Sequence, residues 1–165
     1  MLEIRLHGAL WREASPARRR EWERSLEELN AGNGLEAVGL SAADEPALEL
    51  VRLPDGTFQA RTYRGAFDRH ATVALDISGL APLFDDYAAT IRQMVHVDSD
   101  APVRGFEALD YAKRVVHDEA AEFLARSMGA IANVPFEDAR RLFTLIFLIA
   151  GDLPEELVRY HRRHL

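Results

Sequence analysis

The hydropathy pattern has one dominant feature. From Leu142 to Ala150 every residue except Thr144 is apolar. The run follows Pro135, the acidic pair Glu137-Asp138 and Arg140-Arg141, and it stops at Gly151. Proline suits a first helical turn, where no amide donor is needed. Acids there favour the helix dipole, and glycine supplies a left-handed stop. The pattern predicts a helix from about Pro135 to Ala150. A helix apolar on nearly every side is a buried one, and this run is about half of the roughly 20 residues a membrane span needs. We expect a central core helix, with Thr144 bonded back to the carbonyl one turn earlier. Any face left uncovered would be an association surface.

The rest of the chain divides into a β part and a helical part. Leu2, Ile4 and Leu6 alternate as on a strand. Ser15-Pro16 opens a helix that places Trp22, Leu26 and Leu29 on one face and stops at Gly32-Asn33-Gly34. Ala37 to Leu40 reads as a short strand. Leu48 to Leu53 and Thr57 to Tyr63 flank Pro54-Asp55-Gly56 and read as a hairpin. Arg64 to His70 reads as a loop, and Ala71, Val73, Leu75 and Ile77 give the clearest alternation. After Ser78-Gly79 the period changes to three and four. Leu80, Leu83, Phe84, Tyr87, Ile91, Met94 and Val95 mark one amphipathic helix. Asp98 to Pro102 reads as a loop, and Phe106 to Met128 as a long helix closed by Gly129. Ile131 to Val134 is a connector or short strand. Asp152-Leu153-Pro154-Glu155 resembles a capping box that opens a last short helix.

Strands first and helices second is the α+β pattern. The expectation is one domain over residues 1–165: an antiparallel meander of about four to five strands, covered by the N-terminal helix and by three to four C-terminal helices. Residues 1–78 are mostly strand plus one helix, and residues 79–165 are helical.

The totals narrow the partners. A chain of 165 residues can bury about two thirds of its unfolded surface and needs no metal or disulfide to fold. Without cysteine, disulfides, thiolate metal sites and thiol nucleophiles are excluded. The segment Met1 to Leu10 has no apolar signal core, so a cytoplasmic protein is expected. A net charge of −7 argues against nucleic acid and anionic membrane as partners.

Several strings resemble a known family. Asp138-Ala139-Arg140-Arg141-Leu142-Phe143-Thr144-Leu145-Ile146 resembles the C-terminal signature of an uncharacterised bacterial family, number two-six-two of the UPF placeholder series. Asp86-Tyr87, Glu107-Ala108-Leu109-Asp110, and Val116-His117-Asp118-Glu119 with Glu122 resemble blocks of the same family at its spacing. Leu26-Glu27-Glu28-Leu29-Asn30 is a weaker match. Asp118 replaces an asparagine of the family, and Ala88 and Ala120 also depart from its pattern. The tail from Gly151 extends past the usual family end. The resemblance implies no established activity, substrate or cofactor.

Candidate chemistry is sparse. His117 with Asp110, Asp118 or Glu119 is the candidate acid–base set; the bland alternative is a solvated histidine on a polar helix face. Arg140 and Arg141, with Glu122, are candidates for holding a carboxylate or phosphate. The bland alternative pairs an arginine with Asp110 or Glu122 on the neighbouring helix. Ion pairs Asp110–Arg114 and Arg114–Asp118 are expected from four-residue spacing. His117, Glu119 and Glu122 lack the spacing of a tight metal face, and His161 and His164 sit at a terminus, so no metal and no cofactor is expected. Arg18 to Arg20 could meet an anionic partner or be a solvated face. There is no phosphate loop, nucleophile elbow or dinucleotide fingerprint. The first expectation is therefore a non-catalytic interaction protein, a homodimer through helical surface or the partner of another protein. The alternative is a small-ligand-binding or hydrolytic cleft built from His117, Arg140, Arg141 and an acid, and it requires those groups to converge.

Overall fold

The computed structural model describes residues 2–100, 103–151, 153–154 and 157, with residues 96–100 and 103–106 described in backbone only. Chain order is β1 (Glu3–Leu6), α1 (Gly8–Glu13), α2 (Pro16–Ala31), β2 (Glu36–Ala37), β3 (Pro46–Arg52), β4 (Phe58–Arg64), β5 (Asp68–Leu75), α3 (Ile77–Asp100), α4 (Val103–Met128), β6 (Ala132–Asn133) and α5 (Phe136–Ala150). The class is α+β, with a mixed four-stranded sheet in the order β1-β3-β4-β5.

The meander holds for β3, β4 and β5, which pair antiparallel. Asp55-Gly56 turns the first hairpin, and Gly56 takes the positive φ of 87° that favours glycine. The expected fully antiparallel sheet is corrected at its start. β1 lies parallel to β3, with Ile4 opposite Leu48 and Leu6 opposite Leu50. Helices α1 and α2 intervene, and a helical crossover returns the chain to the same end of the sheet, where only parallel pairing is possible. The expected strand at Ala37 leaves the main sheet as well. Glu36 and Ala37 pair with Asn133 and Ala132 in a separate two-stranded ribbon.

The loop expected over residues 64–70 is shorter, because β5 already begins at Asp68, with Arg64 as its cross-strand neighbour. Arg69 and His70 are exposed there, so no apolar alternation marked the strand. Helix α3 starts earlier than expected because the Asp76 carboxylate accepts the Gly79 N–H at 3.0 Å, and it runs through Asp98-Ser99-Asp100. Ala101, Pro102 and most of the expected last helix lie outside the described residues.

The inward sheet face carries Leu2, Ile4, Leu6, Leu48, Leu50, Phe58, Ala60 and Leu75, all buried in one cluster with α2, α3, α4 and α5. Helix α5 is the element the others cover. Leu142 to Ile149 are all buried, and α2 and α4 both pack against α5. From α3, Phe84 and Tyr87 stack on Phe143 and Phe147 at centroid distances of 4.6–5.8 Å. Burying each such side chain contributes roughly 1.5–3 kcal/mol. The left-handed stop expected at Gly151 is corrected: its φ is −74°. Glycine is needed there for space, since a Cβ would sit 2.6 Å from both the Phe147 ring and the Phe147 carbonyl. Among the described residues no helix is long and apolar enough to cross a membrane.

Candidate functional site

The first two turns of α5 carry one polar stripe. Glu137, Arg140, Arg141 and Thr144 stand at i, i+3, i+4 and i+7, which is one helical face. Ser25 and Glu28 of α2 and His117 of α4 complete a cleft of about 260 Å³ around that stripe. Since α5 packs against both helices, it forms the floor, and α2 and α4 form the walls.

His117 is buried, which corrects the solvated helix face expected for it. The inward face of α4 runs Lys113, Val116, His117, Ala120, Ala121, Leu124 and Met128. Leu109 is one turn ahead of Lys113, so both basic residues continue an apolar stripe. The imidazole meets the Tyr87 ring edge-on at 4.8 Å and the Phe143 ring at 5.6 Å. Its Nε2 lies 3.1 Å from Thr144 Oγ1. The Thr144 hydroxyl donates to the Arg140 carbonyl at 3.3 Å, the back-bond expected from the sequence. Its one proton is thereby used, so it accepts from His117, and Nε2 carries the imidazole proton in the neutral form.

Both arginines are held in place. Arg140 Nε lies 3.4 Å from Asp118, and Arg140 Nη1 donates to Glu137 at 3.4 Å. Arg141 faces Asp138 at 3.7 Å and donates to the Gly32 carbonyl at 3.4 Å. Asp138 also accepts the Gly34 N–H at 2.8 Å, which ties the loop after α2 to the start of α5. A cross-helix acid does pair with Arg140, as expected, but it is Asp118 and not Asp110 or Glu122. Asp110 pairs with Arg114 at 3.3 Å, as its spacing predicts; the expected Arg114–Asp118 pair gives way because Asp118 turns to α5.

Behind the cleft, Tyr87 is fully buried, and its hydroxyl has no hydrogen-bond partner among the described residues. Burial pushes its pKa up, and the charge of Arg140 acts in the opposite sense. Lys113 Nζ lies 5.7 Å from the Tyr87 ring centroid. Burial lowers the Lys113 pKa to about 8, with the Asp110 carboxylate opposing the shift.

Of the residues singled out from the sequence, the cleft gathers His117, Arg140 and Arg141. It does not gather the rest. Asp110 lies nearly two turns before His117 on α4, and Glu119 and Glu122 are exposed on α4 and do not line the cleft. Asp118, beside His117 in the chain, directs its carboxylate to Arg140. Ser25, Glu28, Glu137 and Thr144 were not read as site residues; the four-residue stripe on α5 was the available signal. Arg18 donates to the Leu153 carbonyl at 2.7 Å, a structural contact, while Arg19 and Arg20 are exposed. Among the described residues no three histidine, aspartate or glutamate side chains group as a metal site; His161 and His164 lie outside them. The cleft offers two guanidinium groups, which suit ligand oxygens; the Thr144 proton is committed to the Arg140 carbonyl and the His117 Nε2 proton to Thr144. His117 therefore does not activate Thr144 as a nucleophile.

Fold and site together define an α+β protein with a small, mixed-charge cleft floored by its most buried helix. The chain belongs to the uncharacterised protein family UPF0262, which it matches over residues 1–151. It is similar to the UPF0262 protein of Granulibacter bethesdensis, 26% identical over 157 residues, covering 90% of this chain and 88% of that one. It is also similar to that of Dinoroseobacter shibae, 30% identical over 115 residues, covering 63% of this chain and 72% of that one. The likeness to the Maricaulis maris protein is 37% over 67 residues, 41% of this chain and 42% of that one. Several such alignments thus span under half of the curated relative. No solved structure matches. Residues from three of the strings that carried the resemblance meet in space: Tyr87, His117, Asp118, Arg140, Arg141 and Thr144 all lie in or against the cleft.

Proposed function

We propose that this chain binds a small ligand bearing an anionic oxygen group in the cleft between α2, α4 and α5. The observation that carries the reading is the convergence of His117, Arg140 and Arg141, from two helices, with the hydroxyls of Ser25 and Thr144 on one concave surface. Arg140 and Arg141 hold the anionic group, beside the wall that carries Ser25 and Thr144. His117 contributes a fixed wall, its ring locked between Tyr87 and Phe143. At about 260 Å³ the cleft is below the roughly 300–1,000 Å³ of sites that take drug-sized ligands, so the ligand is a small metabolite. Backbone amide NMR spectra recorded during titration with a panel of small carboxylates and phosphomonoesters test the reading. We expect saturable shifts at Ser25, Glu28, His117, Arg140, Arg141 and Thr144 for at least one compound, weakened ten-fold or more by Arg141→Ala. Spectra unmoved by the whole panel, or shifts untouched by that substitution, would count against it.

Self-association through helical surface is a second reading. It no longer draws on α5, whose apolar residues are covered within the chain. Tyr111 and Val115 favour it, being exposed one turn apart on α4. In the same spectra it predicts that their resonances broaden as protein concentration rises; concentration-independent lines would set it aside.

A further inference from the structure

The binding reading leaves open which small molecule the cleft takes, and the pattern of charge around the cleft narrows it. We propose that the ligand is a zwitterion of free-amino-acid size, its carboxylate against Arg140 and Arg141 and its ammonium against Glu28 and Glu137; this rests on the binding reading above. The ionic groups that line the cleft are two guanidiniums and two carboxylates, with Asp118 against Arg140 and Asp138 against Arg141 beside them. A purely anionic ligand seated on the arginines would face Glu28 and Glu137 at close range. A purely cationic one would face the arginines. A molecule with both charges a few ångströms apart meets a complement at each end.

Along α5 the two signs sit about one turn, roughly 5 Å of rise, apart and pair with each other in the unliganded chain, where Glu137 meets the Arg140 guanidinium at 3.4 Å; the two charges of the ligand exchange with that pair. Glu28 places the second carboxylate on the α2 wall. Size agrees. A water takes about 30 Å³ of liquid, so a cleft of about 260 Å³ encloses a molecule of roughly ten heavy atoms. Arg140 is braced by Asp118, which keeps its guanidinium in place when Glu137 turns from it to a ligand ammonium.

The test is calorimetric titration of the whole chain with the twenty free L-amino acids, then with the N-acetyl and C-amide forms of the tightest binder. The expected result is binding of a free amino acid, weakened ten-fold or more by blocking either end. Glu28→Gln, an exposed position, should narrow the gap between the free and N-acetyl forms and leave the loss from the C-amide unchanged. Equal or tighter binding of the N-acetyl form would mean that the cleft takes simple anions: the zwitterion fails and the binding reading stands. Equal binding of the C-amide form would overturn the assignment of the carboxylate to the arginines. If no amino acid binds while a simple carboxylate or phosphomonoester shifts the cleft resonances, the zwitterion alone fails; if neither does, both readings fail.

Discussion

Lys113 and His117 occupy consecutive turns of the buried face of α4, each against the ring of Tyr87. Both positions continue an apolar stripe, and that placement was present in the spacing. It stayed hidden because reading by pattern assigns lysine and histidine to the outside, and here residue type and period disagree. The disagreement has a measurable cost. Burial lowers the Lys113 pKa from 10.5 to about 8. Between those values the unfolded chain binds more protons than the folded one, so stability rises with pH across that window. Below it the full penalty applies, worth about 3 kcal/mol from the size of the shift. Lys113→Met should therefore be more stable than the parent at neutral pH, with the difference shrinking as pH climbs from about 8 to 10.5. Urea unfolding at a series of pH values measures it; parallel pH profiles for the two proteins would contradict the assignment.

At the level of elements, the ends and edges are closed by side chains from afar. The last carbonyls of α5 would lack partners; Trp22 donates to the Leu148 carbonyl at 3.2 Å and Arg52 to the Ile149 carbonyl at 3.0 Å. The cation also suits the negative end of the helix dipole. The free edge of β1 is covered in a similar way. The Asn30 amide donates to the Ile4 carbonyl at 2.8 Å and accepts the Ile4 N–H at 2.8 Å. Asn33 does the same for Leu2, at 3.0 and 3.3 Å. Two asparagines at the end of α2 thus stand in for a neighbouring strand, which blocks edge pairing. Asn30→Ala should cost about 1–3 kcal/mol, the range for leaving a part-buried backbone pair unsatisfied. Equilibrium denaturation measures the loss; a change under about 0.5 kcal/mol, as at an ordinary surface site, would refute the role. Asn33 was legible only as part of a helix stop, and Asn30 only within a string that resembles the family, because their partners lie some thirty residues away in sequence. The parallel entry of β1 was missed for a related reason. Neighbouring strands were paired by economy, although the helix between β1 and β3 is itself the mark of a crossover.

On the scale of the whole molecule, the sequence foretold the buried helix and left its relation to function open. The apolar run was read as a core helix, and the polar residues before it as an ion-paired end. Both readings hold, and together they make the cleft: the half of α5 that is not wholly apolar is the half that faces α2 and α4 across polar side chains. Ser25 and Glu28 could not be placed there from the sequence, because they depend on how α2 packs across α5 more than a hundred residues later. The claim beneath the rest is that one chain covers α5 by itself, so that its polar stripe is fixed from below and open above. Amide hydrogen exchange along α5, followed over a wide range of protein concentration, tests it most directly. The account predicts that the amides of Leu142 to Ile149 are among the slowest in the chain and exchange only by global unfolding, at rates that do not depend on concentration. Rapid exchange there in the monomer, or protection that appears only as concentration rises, would contradict it.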